Sequence, residues 1–319
     1  MRARAISMFQ RTFTVYGVLL ATAAAVSCGD RSGPLSPSST PSSSIVTTLG
    51  AASTNLTGGA AGTLVGAGDI GDCGSRGAEG TARLLDRIPG SIFTAGDNAY
   101  TSGRMEDFLN CYEPTWGRHR HRTHPAAGNH EYQSSNGNGY FSYFGGSAGA
   151  SGLGYYSFEE GSWRVIVLNS EVPSGAGSPQ MQWLRAELSG RPAGCTAAIW
   201  HRPLFSSGRN GNNPDMRDVW RALYEFDVDL VINGHDHTYE RFAPQDPNGR
   251  PDAARGIRQF IVGTGGAPLY EFRTIRPNSE VRAAAWGVTR FSLSDREYQW
   301  QFVPVDGGDF QDSGSAACH

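Results

Sequence analysis

Lysine is missing from this sequence, and cysteine and long apolar runs are scarce. All 27 basic residues are arginine, which we attribute to the composition of the genome and not to a mechanism. These arginines form no basic stripe and are outnumbered by 30 acidic residues, which argues against a nucleic-acid-binding surface. The apolar run at residues 15–26 is too short to span a membrane. In its other residues the sequence has the composition of an ordinary globular protein.

The first 62 residues have the composition of an export segment followed by a tether. Basic residues precede the apolar run and small residues follow it, so residues 1–27 are interpreted as a secretory signal. Ala25-Val26-Ser27-Cys28 resembles a bacterial lipoprotein box, although leucine is commonest where Ala25 stands, and it predicts a lipid anchor at Cys28. Ordinary cleavage near Ala25, with Cys28 lost or left free, is the alternative. Residues 28–62 are rich in Ser, Thr, Gly and Pro and are predicted to be a tether.

The signal predicts a periplasmic or cell-surface protein, lipid-anchored or otherwise secreted, in which disulfides are stable. If Cys28 carries the anchor, Cys73, Cys111, Cys195 and Cys318 remain, and an even number favours two disulfides. Three pairings are possible. We prefer Cys73–Cys111 with Cys195–Cys318, because the second bond would hold the carboxyl terminus. A free thiol at Cys73 is the alternative.

Residues 63–319 are predicted to form one domain that contains both strands and helices. Apolar, β-branched runs that end in turn residues indicate strands, and apolar residues at helical spacing indicate helices. The first strands are predicted at residues 63–67, 91–95, 163–168, 196–200 and 228–232. Helices are predicted at residues 79–88, 179–188 and 216–226.

The remaining part of the chain has a different pattern. A second, mostly antiparallel sheet is predicted from strands at residues 260–262, 287–291 and 298–303. Residues 134–154 look like a Gly/Ser loop. His119, His121 and His124 form a loop cluster, of which we expect at most one member to face a functional site.

Polar side chains follow five apolar runs, in chain order, where each run ends. His235 and His237 lie two residues apart, so their imidazoles share a face if the backbone is extended. The other runs deliver Asp69, Asp97 with Tyr100, Asn129, and His201. Each residue alone has an ordinary explanation as a turn residue, a helix cap or a half-buried histidine. Together, two carboxylates, an amide, three imidazoles and a phenol suit two hard or borderline cations, and not a thiolate zinc site.

These residues stand in motifs that resemble the five ordered motifs of the calcineurin-like metallophosphoesterases, and more narrowly those of the purple acid phosphatases. The tyrosine three residues after the second aspartate is the discriminating feature. The resemblance runs from residue 63 to about residue 303. It rests on Gly68-Asp69-Ile70-Gly71, Gly96-Asp97-Asn98-Ala99-Tyr100, Gly128-Asn129-His130-Glu131, Trp200-His201 and Gly234-His235-Asp236-His237.

The resemblance implies an α/β fold of two mixed β-sheets packed as a sandwich and flanked by helices. It also implies two metal ions. Asp69, Tyr100 and His237 would bind one metal, Asn129, His201 and His235 would bind the other, and Asp97 would bridge them. Because a phenol has an ordinary pKa of about 10, a tyrosine ligand favours Fe(III) at the first position. The second position could take Fe(II), Zn(II) or Mn(II).

The implied activity is hydrolysis of phosphate monoesters by a metal-bridged hydroxide with in-line attack, on a small phosphorylated substrate. Asp97 and His130 are the predicted catalytic residues, with His130 binding phosphate or protonating the leaving alkoxide. A purely orienting role for His130 is the alternative. Many relatives carry further substrate histidines after the fourth motif, and this chain has none there. Arg202 and Arg209 are therefore candidates for binding the phosphate.

Two other functions stay open at this stage. A phosphodiesterase or nucleotidase of the same superfamily would use the same metal core, because loops set the size of the leaving group. A non-catalytic phosphate- or metal-binding surface lipoprotein is the third candidate, and the complete set of ligands argues against it.

Overall fold

The computed structural model of the protein describes residues 61–190 and 194–319. The predicted signal, the anchor at Cys28 and the tether up to residue 60 lie outside the described residues. The first strand begins at Gly62, next to the predicted start of the domain.

The described residues contain both parallel and antiparallel strands. In chain order the strands are β1 (Gly62–Ala67), β2 (Ser91–Ala95), β3 (Thr123–Ala126), β4 (Tyr156–Glu160), β5 (Trp163–Val167), β6 (Thr196–Ile199), β7 (Leu230–Asn233), β8 (Tyr239–Phe242), β9 (Arg258–Val262), β10 (Ser279–Ala283), β11 (Gly287–Leu293), β12 (Glu297–Pro304) and β13 (Ser313–Ala317).

The helices vary from single turns to 11 residues. The α-helices are α1 (Gly77–Arg87), α2 (Met105–Asp107), α3 (Asn129–Tyr132), α4 (Asn138–Phe144), α5 (Pro179–Ser189) and α6 (Arg217–Glu225). A π-turn covers Phe108–Tyr112, and 3₁₀ turns cover Trp116–Arg122, Ser135–Gly137, Gly145–Ala148 and Pro214–Met216.

The strands form two mixed sheets that pack face to face. The order is β13-β12-β11-β1-β2-β3 in the six-stranded sheet and β10-β8-β9-β7-β6-β5-β4 in the seven-stranded sheet. Successive side chains of a strand point to opposite faces: Leu64 packs between the sheets, and Val65 packs on the outer side with α1. Helices α5 and α6 cover the outer face of the other sheet. The predicted sandwich flanked by helices is confirmed.

Two predictions of local structure were wrong. Strand β9 was assigned to one antiparallel sheet with β11 and β12, but it pairs in parallel with β7 in the other sheet. Residues 134–154 are not a plain loop, because they contain α4 and two 3₁₀ turns. Aromatic side chains of α4 are buried in the cluster beneath that segment, which stabilises the helix despite the surrounding glycines.

Both preferred disulfides are present. Cys73 and Cys111 have Cα atoms 4.8 Å apart and join the loop after β1 to the π-turn. Cys195 and Cys318, with Cα atoms 5.6 Å apart, link the start of β6 to the residue after β13. Because β6 and β13 belong to different sheets, the second bond ties the two layers of the sandwich together.

Candidate metal centre

The predicted ligands lie at the carboxyl ends of strands from both sheets. Asp69 and Asp97 each follow their strand, β1 or β2, by two residues, and Asn129 follows β3 by three. In the other sheet, His201 and His235 each follow β6 or β7 by two residues. Because parallel strands end at a common edge, the same local pattern, repeated, delivers these side chains to one place.

The backbone at several of these positions is in the left-handed region. Asp69 has φ 59°, Asp97 has φ 50° and His235 has φ 73°, a conformation that is unfavourable for residues other than glycine. Glycines allow the close approach of the loops. A Cβ on Gly128 would lie 2.3 Å from Asp97 Oδ1, and one on Gly234 would lie 2.6 Å from Asp69 Oδ2. The glycines before Asn129 and His235 are thus needed for packing the loops around the centre.

The side chains gather in two groups. In the first, Tyr100 Oη lies 3.0 Å from Asp69 Oδ1 and 3.0 Å from His237 Nε2. In the second, His201 Nε2 lies 3.1 Å from Asn129 Oδ1 and 3.2 Å from His235 Nδ1. These are the two ligand groups that the resemblance implies.

Asp97 stands between the two groups. Its Oδ2 atom lies 3.3 Å from Tyr100 Oη and 3.2 Å from His201 Nε2. Its Oδ1 atom accepts a hydrogen bond from the backbone N–H of His130 at 2.8 Å. One carboxylate oxygen thus faces both groups, a position from which Asp97 could bind a cation in each.

Outer hydrogen bonds fix which ring nitrogens face inward. His201 Nδ1 donates to the carbonyl of Ala95 at 2.8 Å, and His237 Nδ1 donates to the carbonyl of Pro268 at 2.7 Å. The Nε2 lone pairs therefore point at neighbouring carboxylate, amide and imidazole acceptors. Lone pairs that converge in a buried space need a cation between them. These oxygen and nitrogen atoms therefore suit metal ions as ligands. Within this centre, one potential ligand atom each from Asp97, His201 and His235 lies within 4.8 Å of the other two.

Burial and charge control protonation in the centre. Burial alone would lower the pKa of His201, but the charge of the neighbouring Asp97 carboxylate outweighs burial and raises that pKa to about 10. Burial and the charge of His201 lower the pKa of His235 to about 3. Burial, together with Asp69 and Asp97, raises the pKa of the Tyr100 phenol well above its ordinary value. Without a cation in the centre, Asp97 thus favours a proton on His201, which a bound metal ion would displace, and the Tyr100 phenol would ionise only next to a strong Lewis acid.

His130 lies at the open side of the centre. Its Nδ1 donates to the carbonyl of Thr101, which turns Nε2 towards Asp97 Oδ2 at 3.8 Å. The imidazole packs against the Tyr100 ring with centroids 4.4 Å apart. His130 is therefore placed to contact a group bound between the two ligand clusters.

The two candidate arginines lie at different edges of the site. Arg202 pairs with Glu171 through Nε at 2.8 Å and Nη2 at 3.3 Å. Arg209 is exposed, and its guanidinium lies 5.2 Å from the ring centroid of Tyr270. Arg202 therefore has its donors engaged by a carboxylate, whereas Arg209 makes no ion pair among the described residues.

The cluster of three histidines lies elsewhere, in agreement with the expectation that at most one faces the site. It occupies a 3₁₀ turn and β3. His119 Nε2 lies 3.0 Å from Asp86 Oδ1, and His124 stacks on Phe158 with centroids 3.7 Å apart. His121 is exposed.

Sequence reasoning missed the role of Glu131. This fully buried carboxylate accepts hydrogen bonds from the backbone N–H groups of Asp97, Asn98, Ala99 and Gly128, at 2.7–3.2 Å. It thereby ties the loop of the second motif to the loop of the third. A glutamate at the third position of a helix is a capping signal, and this one caps α3 while also holding a second loop.

Tyr270 is a second missed neighbour of the centre. Its ring stacks on His237 with centroids 3.9 Å apart and an interplanar angle of 10°, and its N–H donates to the His237 carbonyl at 3.0 Å. No local pattern around residue 270 signals this contact, because it depends on how the loop after β9 folds back.

Within residues 61–190 and 194–319, no helix combines the length and apolarity needed to cross a membrane. A second group of possible metal ligands, Cys195, Asp229 and Cys318, has both sulfurs in a disulfide. It is therefore structural, with Asp229 accepting from the backbone N–H of His319 at 2.8 Å.

Comparison with known proteins finds relatives that match part of this sequence. An uncharacterised protein of Mycobacterium tuberculosis is 32% identical over 184 residues, which cover 44% of this chain and 35% of that protein. Purple acid phosphatase 21 of Arabidopsis thaliana is 28% identical over 257 residues, covering 72% of this chain and 57% of the relative. The chain thus spans about a third to three fifths of the length of these relatives.

A solved purple acid phosphatase also has a similar fold. The structure of the purple acid phosphatase PPD1 from yellow lupin (Lupinus luteus) seeds superposes with a TM-score of 0.69 at 20% identity, over 81% of this chain and 54% of the other. Residues 63–239, which include all seven predicted ligands, match the family described as calcineurin-like phosphoesterase. The chain therefore belongs to the calcineurin-like phosphoesterase family, with purple acid phosphatases among its relatives.

Proposed function

We propose that this protein hydrolyses phosphate monoesters at a centre of two metal ions. The observation that carries the proposal is the position of Asp97, whose one carboxylate oxygen faces two separate groups of ligand atoms. The similarity to purple acid phosphatases supports a monoester as the substrate.

In this proposal, Asp69, Tyr100 and His237 hold one cation, Asn129, His201 and His235 hold the other, and Asp97 contacts both. The first is Fe(III), because a phenol is a poor ligand unless a strong Lewis acid holds it as the phenolate. The second is Fe(II), Zn(II) or Mn(II), which suit a mixed N/O site. When bound, two such cations neutralise phosphate charge and make hydroxide available near neutral pH.

The protein's own residues orient the ester and handle the proton. In hydrolysis, a water oxygen bonds to phosphorus as the bond to the alcohol oxygen breaks in line, and the leaving alkoxide takes up a proton. We assign to His130 Nε2 the binding of the phosphate or the transfer of that proton, since its Nδ1 is engaged by the carbonyl of Thr101. Arg209 is a second candidate for binding the phosphate, because it lies against Tyr270, whose ring stacks on His237, and makes no ion pair among the described residues.

The test is turnover of paired chromogenic mono- and diesters by the metal-loaded full chain. We expect faster monoester hydrolysis, abolished in Asp97→Asn and retained in Asp306→Asn, an exposed aspartate paired with Arg87. Preference for the diester would favour a phosphodiesterase or nucleotidase. Turnover of neither ester would favour a non-catalytic binding protein.

We also propose that the chain is exported and anchored through Cys28. Fatty-acid labelling of expressing cells should mark the full chain and not its Cys28→Ala variant. Equal labelling of the two would contradict the anchor.

A further inference from the structure

The chain after β9 runs alongside the first ligand group. Residues 263–270, which we call the clamp segment, lie outside the range that matches the phosphoesterase family. The Gly265 N–H donates to the carbonyl of Gly68 at 2.8 Å, and the Ala267 N–H donates to the carbonyl of Asp69 at 2.9 Å. The clamp segment therefore holds the loop of the first motif by its backbone.

His237, a predicted ligand of the same group, is held by three contacts with the clamp segment. Its Nδ1 donates to the carbonyl of Pro268 at 2.7 Å, and its own carbonyl accepts from the Tyr270 N–H at 3.0 Å. The Tyr270 ring stacks on the imidazole with centroids 3.9 Å apart and an interplanar angle of 10°. The hydrogen bond from Nδ1 sets which nitrogen faces the metal position, whereas the stacked ring limits how far the imidazole plane can turn.

Other contacts fix the clamp segment to the fold. The carbonyl of Gly265 accepts from Thr81 Oγ1 in α1 at 2.6 Å, and the carbonyl of Ala267 accepts from Trp286 Nε1 at 2.8 Å. Trp286 directly precedes β11. Because a helix and the start of a strand support the segment, it can hold His237 in one place.

The second ligand group does not depend on this segment. Among residues 61–190 and 194–319, no hydrogen bond or ring contact joins the clamp segment to Asn129, His201 or His235. His201 is oriented instead by the carbonyl of Ala95. A change in the clamp segment should therefore weaken the first metal position more than the second.

We propose that Tyr270 is a positioning residue for the first metal position. Its ring keeps the His237 imidazole in the orientation in which Nε2 lies 3.0 Å from Tyr100 Oη, so that both atoms face one cation. The ring suffices for this role, because the Tyr270 hydroxyl makes no hydrogen bond to another described residue. This inference rests on the proposed function for its two metal ions and assigns a further residue to the first of them.

Equilibrium dialysis of the metal-depleted full chain against Zn(II) tests this role. We expect the wild type to bind two ions. Tyr270→Ala should weaken one of them by about 10–100-fold, the usual loss when an outer partner of a ligand is removed. Tyr270→Phe keeps the ring and should bind both ions within about threefold of the wild type. Metal binding is measured in place of turnover because the Tyr270 ring centroid also lies 5.2 Å from the guanidinium carbon of Arg209, a candidate for binding the phosphate.

Two further variants show where the effect arises. Tyr100→Phe removes a predicted ligand of the first position, so the double variant Tyr100→Phe/Tyr270→Ala should still bind one ion with wild-type affinity. Phe158→Ala removes a ring that stacks on His124 with centroids 3.7 Å apart and an interplanar angle of 6°. Because that pair lies outside the centre, its loss should leave the binding of both ions unchanged.

The outcomes separate this role from the function on which it rests. If Tyr270→Ala binds both ions like the wild type, or if Tyr270→Phe binds as weakly as Tyr270→Ala, the stacked ring does not position His237 and the phosphatase proposal stands. Weakened binding of both ions in the double variant, or an equal effect of Phe158→Ala, would also reject a role at the first position. If the wild type binds fewer than two Zn(II) ions, the two-metal centre and the role of Tyr270 are both refuted.

Discussion

Glu131→Gln should damage both the stability and the metal affinity of this protein. The wild-type carboxylate is fully buried and accepts four backbone hydrogen bonds, two on each oxygen. Glutamine has one amide oxygen, so two N–H groups would face an NH₂ group of the same polarity. At about 1–3 kcal/mol for each buried hydrogen bond left unmade, the free energy of unfolding should fall by about 2–6 kcal/mol.

The same substitution should loosen the loops that carry Asp97 and Asn129. Loss of an orienting partner commonly lowers metal affinity by about 10–100-fold, and we expect the second metal position to lose most. Urea unfolding measures the stability, and equilibrium dialysis against Zn(II) measures the affinity. Glu297→Gln, at the exposed start of β12, is the matched control. The role of this carboxylate would be refuted if the free energy of unfolding of Glu131→Gln lay within about 0.5 kcal/mol of that of the control and its Zn(II) affinity were the same.

Three further variants test other parts of the site and the fold. Tyr100→Phe should abolish visible absorbance from a ferric phenolate and weaken metal binding, whereas an unchanged spectrum would remove Tyr100 from the ligands. His130→Ala should lower kcat/KM for a monoester by about 10²–10⁴-fold at unchanged metal content, and a loss below threefold would exclude His130 from proton transfer and phosphate binding. Replacing Cys195 and Cys318 together by serine should lower the free energy of unfolding by about 4–5 kcal/mol, because the bond spans 123 residues. A loss below about 1 kcal/mol in urea unfolding would contradict that role for the disulfide.

The sequence was sufficient to predict that these seven side chains lie together, because most of them arise from one local pattern. An apolar strand, a glycine and a polar side chain recur in order, and the ends of parallel strands coincide in space. Asp69 and His235 are 166 residues apart in sequence, yet the backbone N–H of His235 donates to Asp69 Oδ2 at 2.9 Å. The resemblance, more than periodicity, supplied the two-sheet sandwich.

Other features depended on contacts between distant segments. Strand β9 has the same alternation whichever sheet it joins, so its parallel pairing with β7 is not visible in its own residues. The glycines of residues 134–154 concealed α4, whose Tyr140 and Phe144 lie four residues apart and are both buried. The pairing of Arg202 with Glu171 likewise joins two loops. Such pairings depend on where the loops meet, which no spacing rule provides.

Metal analysis of the purified, folded full chain tests the central claim most directly. We expect two metal ions per chain, one of them iron, and loss of at least one ion in Asp97→Asn. A wild-type protein that binds no metal, or an Asp97→Asn protein that keeps both ions, would contradict a centre in which one carboxylate joins two cations.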